Sequence, residues 1–442
     1  MQALKEKVAA RIDAHAKSLT HFGNDVFAHP EVGFREERTA TRIAEALKRL
    51  DFKIEEGLAL TGVRARLRGA KPGPTVCVMG ELDGLPVPGH PQADPSTGVA
   101  HACGHNAQLA HLLGVATAFI EADVARDLCG EIVFLAVPAE EYVDLEWRAD
   151  LARRGKVEFL GGKPELVRTG VFDGVDMAMM VHASGTPEGQ LLSVVWHYNG
   201  FIAKRARFVG RAAHAGNAPY RGVNALNAAT LALQAIHMQR ETFRDEDHIR
   251  VHPIITRGGD AINVVPADVR LETFVRGASL DAIEEAAAKV DRALQAGALA
   301  VGASLELRTL PGYLPLSVDR SLAAIFRENA TALVGASHWG ESPTNSASTD
   351  AGDLSHIMPV LHPSHGGCSG ANHTVDFKIV DSADAYLTPA KAMAFTLIDL
   401  LTDGAKRAQE VLDAYTPGLT RDEYLATMRA FNRTEQFRAP EA

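Results

Sequence analysis

The chain has 442 residues, 46% of them hydrophobic, which is more than one ordinary domain and enough for two cores. Its formal net charge of -10 argues against a nucleic-acid footprint and against an anionic membrane surface, while leaving room for a small anionic substrate met by local arginines. Four cysteines (Cys77, Cys103, Cys129, Cys368) are too sparse for a disulfide framework, the first residues hold no apolar signal core, and no window approaches a membrane span, so a soluble cytoplasmic setting is expected.

Residues 1–50 read as two helices broken by His29-Pro30-Glu31-Val32-Gly33-Phe34. Residues 62–67 alternate apolar and basic side chains, and 75–79 form a continuous apolar run of the kind that makes a buried strand. That run empties into Gly80-Glu81-Leu82-Asp83-Gly84-Leu85-Pro86 and a loop to Val99. A helix is expected across 109–119, with Leu109, Leu112, Leu113, Ala116 and Phe119 on one face, and residues 131–137 are another buried strand, ending at Pro138. Strands alternating with helices imply a largely parallel sheet, whose ligands sit beyond the carboxyl ends of its strands. From residue 197 the pattern changes: strand 201–209, helix 225–238, strands 250–256 and 269–275, helix 280–300 and strand 304–310 sketch a ferredoxin-like β-α-β-β-α-β unit. The expected organisation is a catalytic domain of residues 1–196 and 313–442, interrupted by an inserted α+β domain, 197–312.

Chemistry concentrates where apolar runs end. His101-Ala102-Cys103-Gly104-His105-Asn106 sets a thiolate and an imidazole two residues apart just before a helix, whose N-terminus favours thiolate over thiol. Glu140-Glu141 follow seven residues of apolar strand, and His182 closes the run 175–181. His373 stands alone in Gly370-Ala371-Asn372-His373-Thr374. Taken singly, each has an ordinary reading: a core cysteine, a solvated acid pair, a satisfied core histidine. Together they supply soft and borderline ligands with a paired carboxylate, the set a divalent ion needs to bind and to activate water for hydrolysis.

On these motifs the chain resembles metallopeptidase family M20, in the amidohydrolase branch of N-acyl-amino-acid, indole-acetyl-amino-acid and aminobenzoyl-glutamate hydrolases. The likeness is carried by residues 29–34, 80–86, 101–106 and 138–141, by Gly210-Arg211-Ala212-Ala213-His214-Ala215-Gly216, by Ile262-Asn263-Val264-Val265-Pro266-Ala267, and by Ser348-Thr349-Asp350. It implies a zinc-exopeptidase-like α/β fold with the insertion serving as lid and dimerisation domain. It further implies that Cys103, His105, Glu141, His182 and His373 ligate one or two divalent ions, zinc or manganese, with Glu140 as general base and acid. His214 would polarise the scissile carbonyl, and Asn263 and Arg276 would meet the substrate carboxylate and oxyanion. Ordinary readings stay open beside these: Asn263 as a turn cap, Arg276 as a surface charge at a strand end.

The sequence also departs from the branch. Asn106 and Gln108 stand where aspartate and a second histidine are common, and Tyr142-Val143-Asp144-Leu145-Glu146-Trp147 with a basic stretch to Leu166 replaces the glycines after the acid pair. His362 and His365 lie close enough in sequence to His373 to compete for the last ligand position. The expected activity is metal-dependent hydrolysis of a small N-acyl or N-aroyl amino acid, or a dipeptide-like amide, by a homodimer. Hydrolytic deamination of an activated aromatic amine is one alternative, and a non-catalytic regulatory relative is another.

Overall fold

The structure is a computed structural model and describes residues 1–184 and 189–438. Two compact units emerge. The first comprises Met1–Trp196, Ser317–Thr344 and Asp353–Thr420, the second His197–Leu316, Asn345–Gly352 and Arg421–Ala442. The second thus takes in residues 345–352 and 421–442 as well as the stretch expected from sequence.

The first unit is built on a six-stranded sheet in the order Ile54–Leu58, Gly62–Arg68, Cys129–Val137, Lys71–Glu81, Met177–Met179, Val360–Leu361. The last four strands run parallel and the first two antiparallel. Parallel strands are covered on both faces, and Val76, Cys77, Val78 and Met79 are fully buried accordingly. Three helices occupy the N-terminal region where two were expected: Gln2–Ala14 and Ala16–Phe27 meet at His15, whose backbone (φ -94, ψ 6) leaves the helical region, and Glu37–Lys48 follows. The helix His105–Glu121 is buried almost all round, as a helix without a polar face must be. Three chain segments therefore leave the sheet at adjacent carboxyl ends: after Glu81, after Val137 and after Met179.

In the second unit an antiparallel sheet is ordered Arg250–Val251 with Ile254–Arg257, then Asp268–Gly277, Gly200–Val209, Ser304–Tyr313 and Arg433–Phe437. The helices Ala225–Met238 and Leu280–Val301 bury Ala229, Ala232, Ile283 and Leu294 in one core with Val269, Leu271 and Leu305 of the sheet. Asn224 and Ser279 cap the two helices with side-chain oxygens that accept from the first free amides. The first four strands give the β-α-β-β-α-β order, to which Arg433–Phe437 adds a further edge.

Candidate metal centre

The carboxyl ends of the parallel strands gather the titratable side chains of the first unit. Gly104 lies between Cys103 and His105 with φ +82, and a Cβ there would stand 2.3 Å from Ala183 Cβ. Only glycine fits, and the left-handed step lets thiol and imidazole face the same side. His105 donates Nδ1–H to the Asp83 carbonyl oxygen (2.8 Å), and His182 Nδ1 lies 2.6 Å from the Ala183 carbonyl oxygen. Both rings therefore turn Nε2 inward, an orientation that suits a metal ligand. His182 Nε2 is 3.4 Å and His373 Nε2 3.3 Å from Cys103 Sγ, and His373 Nε2 is 3.1 Å from Glu141 Oε1. His373 itself adopts φ +65, a conformation uncommon for a side-chain-bearing residue, held by its amide donating to the Ala102 carbonyl (2.8 Å).

Three sets of ligand atoms result, each with all atoms within 4.8 Å of one another: Cys103, His105 and His182; Cys103, Glu141 and His373; and Glu81, His105 and Glu140. The first two sets share one sulfur. Burial and the Glu141 charge both push the Cys103 thiol up, yet His182, His105 and His373 together outweigh them and bring it down to about 5. The Glu141 charge in turn raises His373 to about 11 against its burial. Burial raises Glu141, but His373 and His105 lower it further, to about 2. His105 Nε2 is buried and makes no hydrogen bond. A thiolate, three inward imidazole nitrogens and carboxylates crowded into one buried cluster fit a divalent cation.

Two partners escaped the sequence reading. Glu81, in the motif after the strand, is fully buried and reaches Lys163 Nζ at 2.5 Å, Gln108 Nε2 at 2.9 Å and His105 Nε2 at 3.1 Å. Burial raises its carboxyl, but Lys163, His105 and His182 drive it well below the usual carboxylate range. Gln108, one of the departures, thus faces the cluster, whereas Asn106 turns away to the Gly23 carbonyl (3.1 Å) and Tyr386 hydroxyl (3.2 Å). Nothing local marks Lys163 in the sequence, since Glu158, Glu165 and Arg168 stand around it as on a solvated surface. Neither His362 nor His365 joins a ligand set among the described residues: His362 stacks on His182 with ring centroids 5.6 Å apart, and His365 packs edge-on against His111 at 5.0 Å.

In the second unit His214 and Asn263 are neighbours. His214 pairs with Val264 in an isolated bridge, and Ala215 donates its amide to the Asn263 carbonyl (3.0 Å). His214 Nδ1 accepts from the amides of Gly216 (3.2 Å) and Asn217 (3.0 Å), which fixes the proton on Nε2. Arg276, on the strand Asp268–Gly277, donates to Ser348 Oγ (2.6 Å) and lies 5.2 Å from the ring centroids of both Phe201 and Phe274.

The model of peptidase family M20/M25/M40 matches residues 77–398. The chain is 27% identical to the Xaa-Arg dipeptidase of Mus musculus, over 91% of this chain and 90% of the relative. It is 30% identical to the N-acyl-L-amino acid amidohydrolase of Geobacillus stearothermophilus, over 71% of this chain and 81% of the relative. A crystal structure of a dinuclear metal-binding M20 peptidase from Bacillus subtilis superposes with a TM-score of 0.63, covering 88% of this chain and 99% of its own, at 20% identity. The chain belongs to peptidase family M20/M25/M40 and is a metal-dependent hydrolase of amide carbon–nitrogen bonds.

Proposed function

We propose that the protein splits a small N-acyl or N-aroyl amino acid, or a dipeptide-like amide, into a carboxylic acid and an amine. The observation that carries this reading is the pair of ligand sets sharing Cys103 Sγ, with Glu140 in the adjoining set. Cys103, Glu141 and His373 would hold one divalent ion, and Cys103, His105 and His182 a second. The bound cation supplies Lewis acidity, lowering the pKa of a coordinated water and drawing charge from the scissile carbonyl. Glu140 takes the proton of the attacking water and returns it to the departing nitrogen, so one carboxylate serves as base and then as acid.

The tautomer of His214 supports its role as the donor that steadies the developing oxyanion, because only Nε2 carries a proton to give. Asn263 and Arg276 are assigned to the substrate carboxylate and oxyanion. The guanidinium of Arg276, seated against two phenyl rings with Ser348 on one arm, is suited to two-point binding of a carboxylate. The thiolate favours zinc, and the imidazole and carboxylate donors also accept manganese. Four free cysteines suit a reducing, cytoplasmic setting, and the exposed Tyr220, Ile254 and Ile262 of the second unit suit assembly as a homodimer.

The test restores zinc or manganese to the apoprotein and assays N-acyl amino acids, N-aroyl glutamates and dipeptides. The expected products are acid and amine in equal amounts. Glu140→Gln is expected to lower kcat by about 100- to 10,000-fold with metal content unchanged. Release of ammonia without a new carboxylic acid would overturn the amidase reading, and an unchanged kcat in Glu140→Gln would overturn the base.

A further inference from the structure

The segment between the acid pair and Gly162 leaves the sheet and returns to its starting point. The Gly162 amide donates to the Ala139 carbonyl (3.1 Å), and a Cβ on Gly162 would lie 1.6 Å from the Pro138 carbonyl oxygen, so the two ends close on each other. The enclosed excursion carries the helix Leu145–Arg153. From that helix Arg148 points back into the base of the loop, fully buried. It donates Nη2–H to the Glu141 carbonyl (2.6 Å) and Nη1–H to the Leu160 carbonyl (2.7 Å), with the Ala139 carbonyl at 3.5 Å. Its guanidinium also lies 5.2 Å from the Phe34 ring centroid. Among the described residues no carboxylate stands within ion-pair distance of it, and its Nε is buried without a hydrogen-bond partner. A buried cation held only by carbonyls and a ring is a costly fixture for a surface loop, and it sits where the chain is already constrained. Ala139 has φ +54, its amide is held by Glu36 (2.7 Å), and a Cβ on Gly33 would collide with both Ala139 and Arg148 Nη2.

We propose that Arg148 is a positioning residue. By gripping the Glu141 carbonyl and the far end of the loop together, it sets the direction in which the two carboxylates of Glu140 and Glu141 leave the chain. The segment between the acid pair and Gly162 is then a built-in brace for the two carboxylates. This rests on the reading above, in which Glu141 holds metal and Glu140 moves the proton.

Cobalt(II) added to the apoprotein tests the brace, since its visible and thiolate charge-transfer bands report how the ligands are arranged. Arg148→Met removes the donors while keeping bulk; Arg148→Lys keeps one; Arg153→Ala, at the exposed end of the same helix, is the control. Arg148→Met is expected to bind cobalt about 10- to 100-fold more weakly, with altered bands, and to lose kcat by a similar factor while KM stays within about threefold. Arg148→Lys should recover part of both losses, and Arg153→Ala should match wild type. A folded Arg148→Met with wild-type cobalt affinity, bands and kcat would sink the proposal; if that variant does not fold, Arg148→Lys with wild-type values does so instead. If wild type hydrolyses none of the amides, the substrate reading fails, and the cobalt titration alone decides the brace.

Discussion

In the first unit Glu81, Asp83, His105, Glu140, Glu141 and Lys163 are all buried beside one another, whereas in the second unit Lys204 is buried against Asp291 (2.7 Å) and Thr309 (3.0 Å), and His214 and Asn263 stand at the surface. Lys204 and Asp291 form a direct ion pair, and Arg433 stands 3.5 Å from the same carboxylate. The first unit instead crowds its acids and imidazoles into one place, where Asp83 Oδ1, His105 Nε2 and Glu141 Oε1 are all buried without a hydrogen bond. Burying polar groups in low dielectric without full pairing is expensive, and the arrangement makes sense when a cation completes it. The same cost in the second unit yields only a rigid frame.

Removing one cation from each region tests that contrast most strongly. Lys163→Met strands the buried Glu81 carboxylate and is expected to lower unfolding free energy by about 3–5 kcal/mol in the apoprotein, and Lys204→Met less, because Arg433 stays 3.5 Å from Asp291. Added zinc should restore much of the Lys163→Met deficit, because an ion near His105 compensates Glu81, and none of the Lys204→Met deficit. Denaturant unfolding with and without zinc checks this; equal responses would erase the distinction.

Glu36 gives the next largest effect. It is fully buried at the edge of the cluster, and burial together with the Asp83 charge raises its carboxyl to about 7, against hydrogen bonds from the Thr61 hydroxyl and Ala139 amide. A carboxyl raised on folding contributes stability below its unfolded value near 4.5 and loses it as pH rises through about 7. Glu36→Gln should therefore leave acid stability nearly unchanged and raise apoprotein stability by up to about 3 kcal/mol above pH 7. Thermal unfolding across that window measures it, and a gain on the acid side would reverse the assignment.

The mildest test perturbs only protonation. In the apoprotein the Cys103 thiolate is expected to persist until pH falls through about 5, while burial holds Cys77 and Cys368 at about 12. The ultraviolet thiolate absorbance should show an acid step that Cys103→Ala abolishes. A step near the ordinary thiol value would mean that the three imidazoles do not converge on the sulfur.

Much of this was legible in the sequence because parallel strands write their ends plainly: an apolar run stops and a polar residue follows, as at Glu140, His182 and the approach to Cys103. The helices 225–238 and 280–300 were equally plain from periodicity, and the structure places them at Ala225–Met238 and Leu280–Val301. What stayed hidden was decided by closure in three dimensions. Arg148 lies in a charged stretch that looks like a solvated helix, and only the return of the chain to Gly162 buries it. Lys163 follows that return directly, so its pairing with Glu81 had no local signature. The polar strand Arg433–Phe437 lacks an apolar alternation and exists because Ser304–Tyr313 offers it an open edge.

That last pairing shapes how the chain must mature. Leu305 waits for Phe437, and Thr309 for Arg433, so a growing polypeptide exposes a finished row of amides and carbonyls long before the strand that covers it has been synthesised. During that interval the nascent sheet is open to pairing with a foreign strand, and chaperone demand should concentrate there.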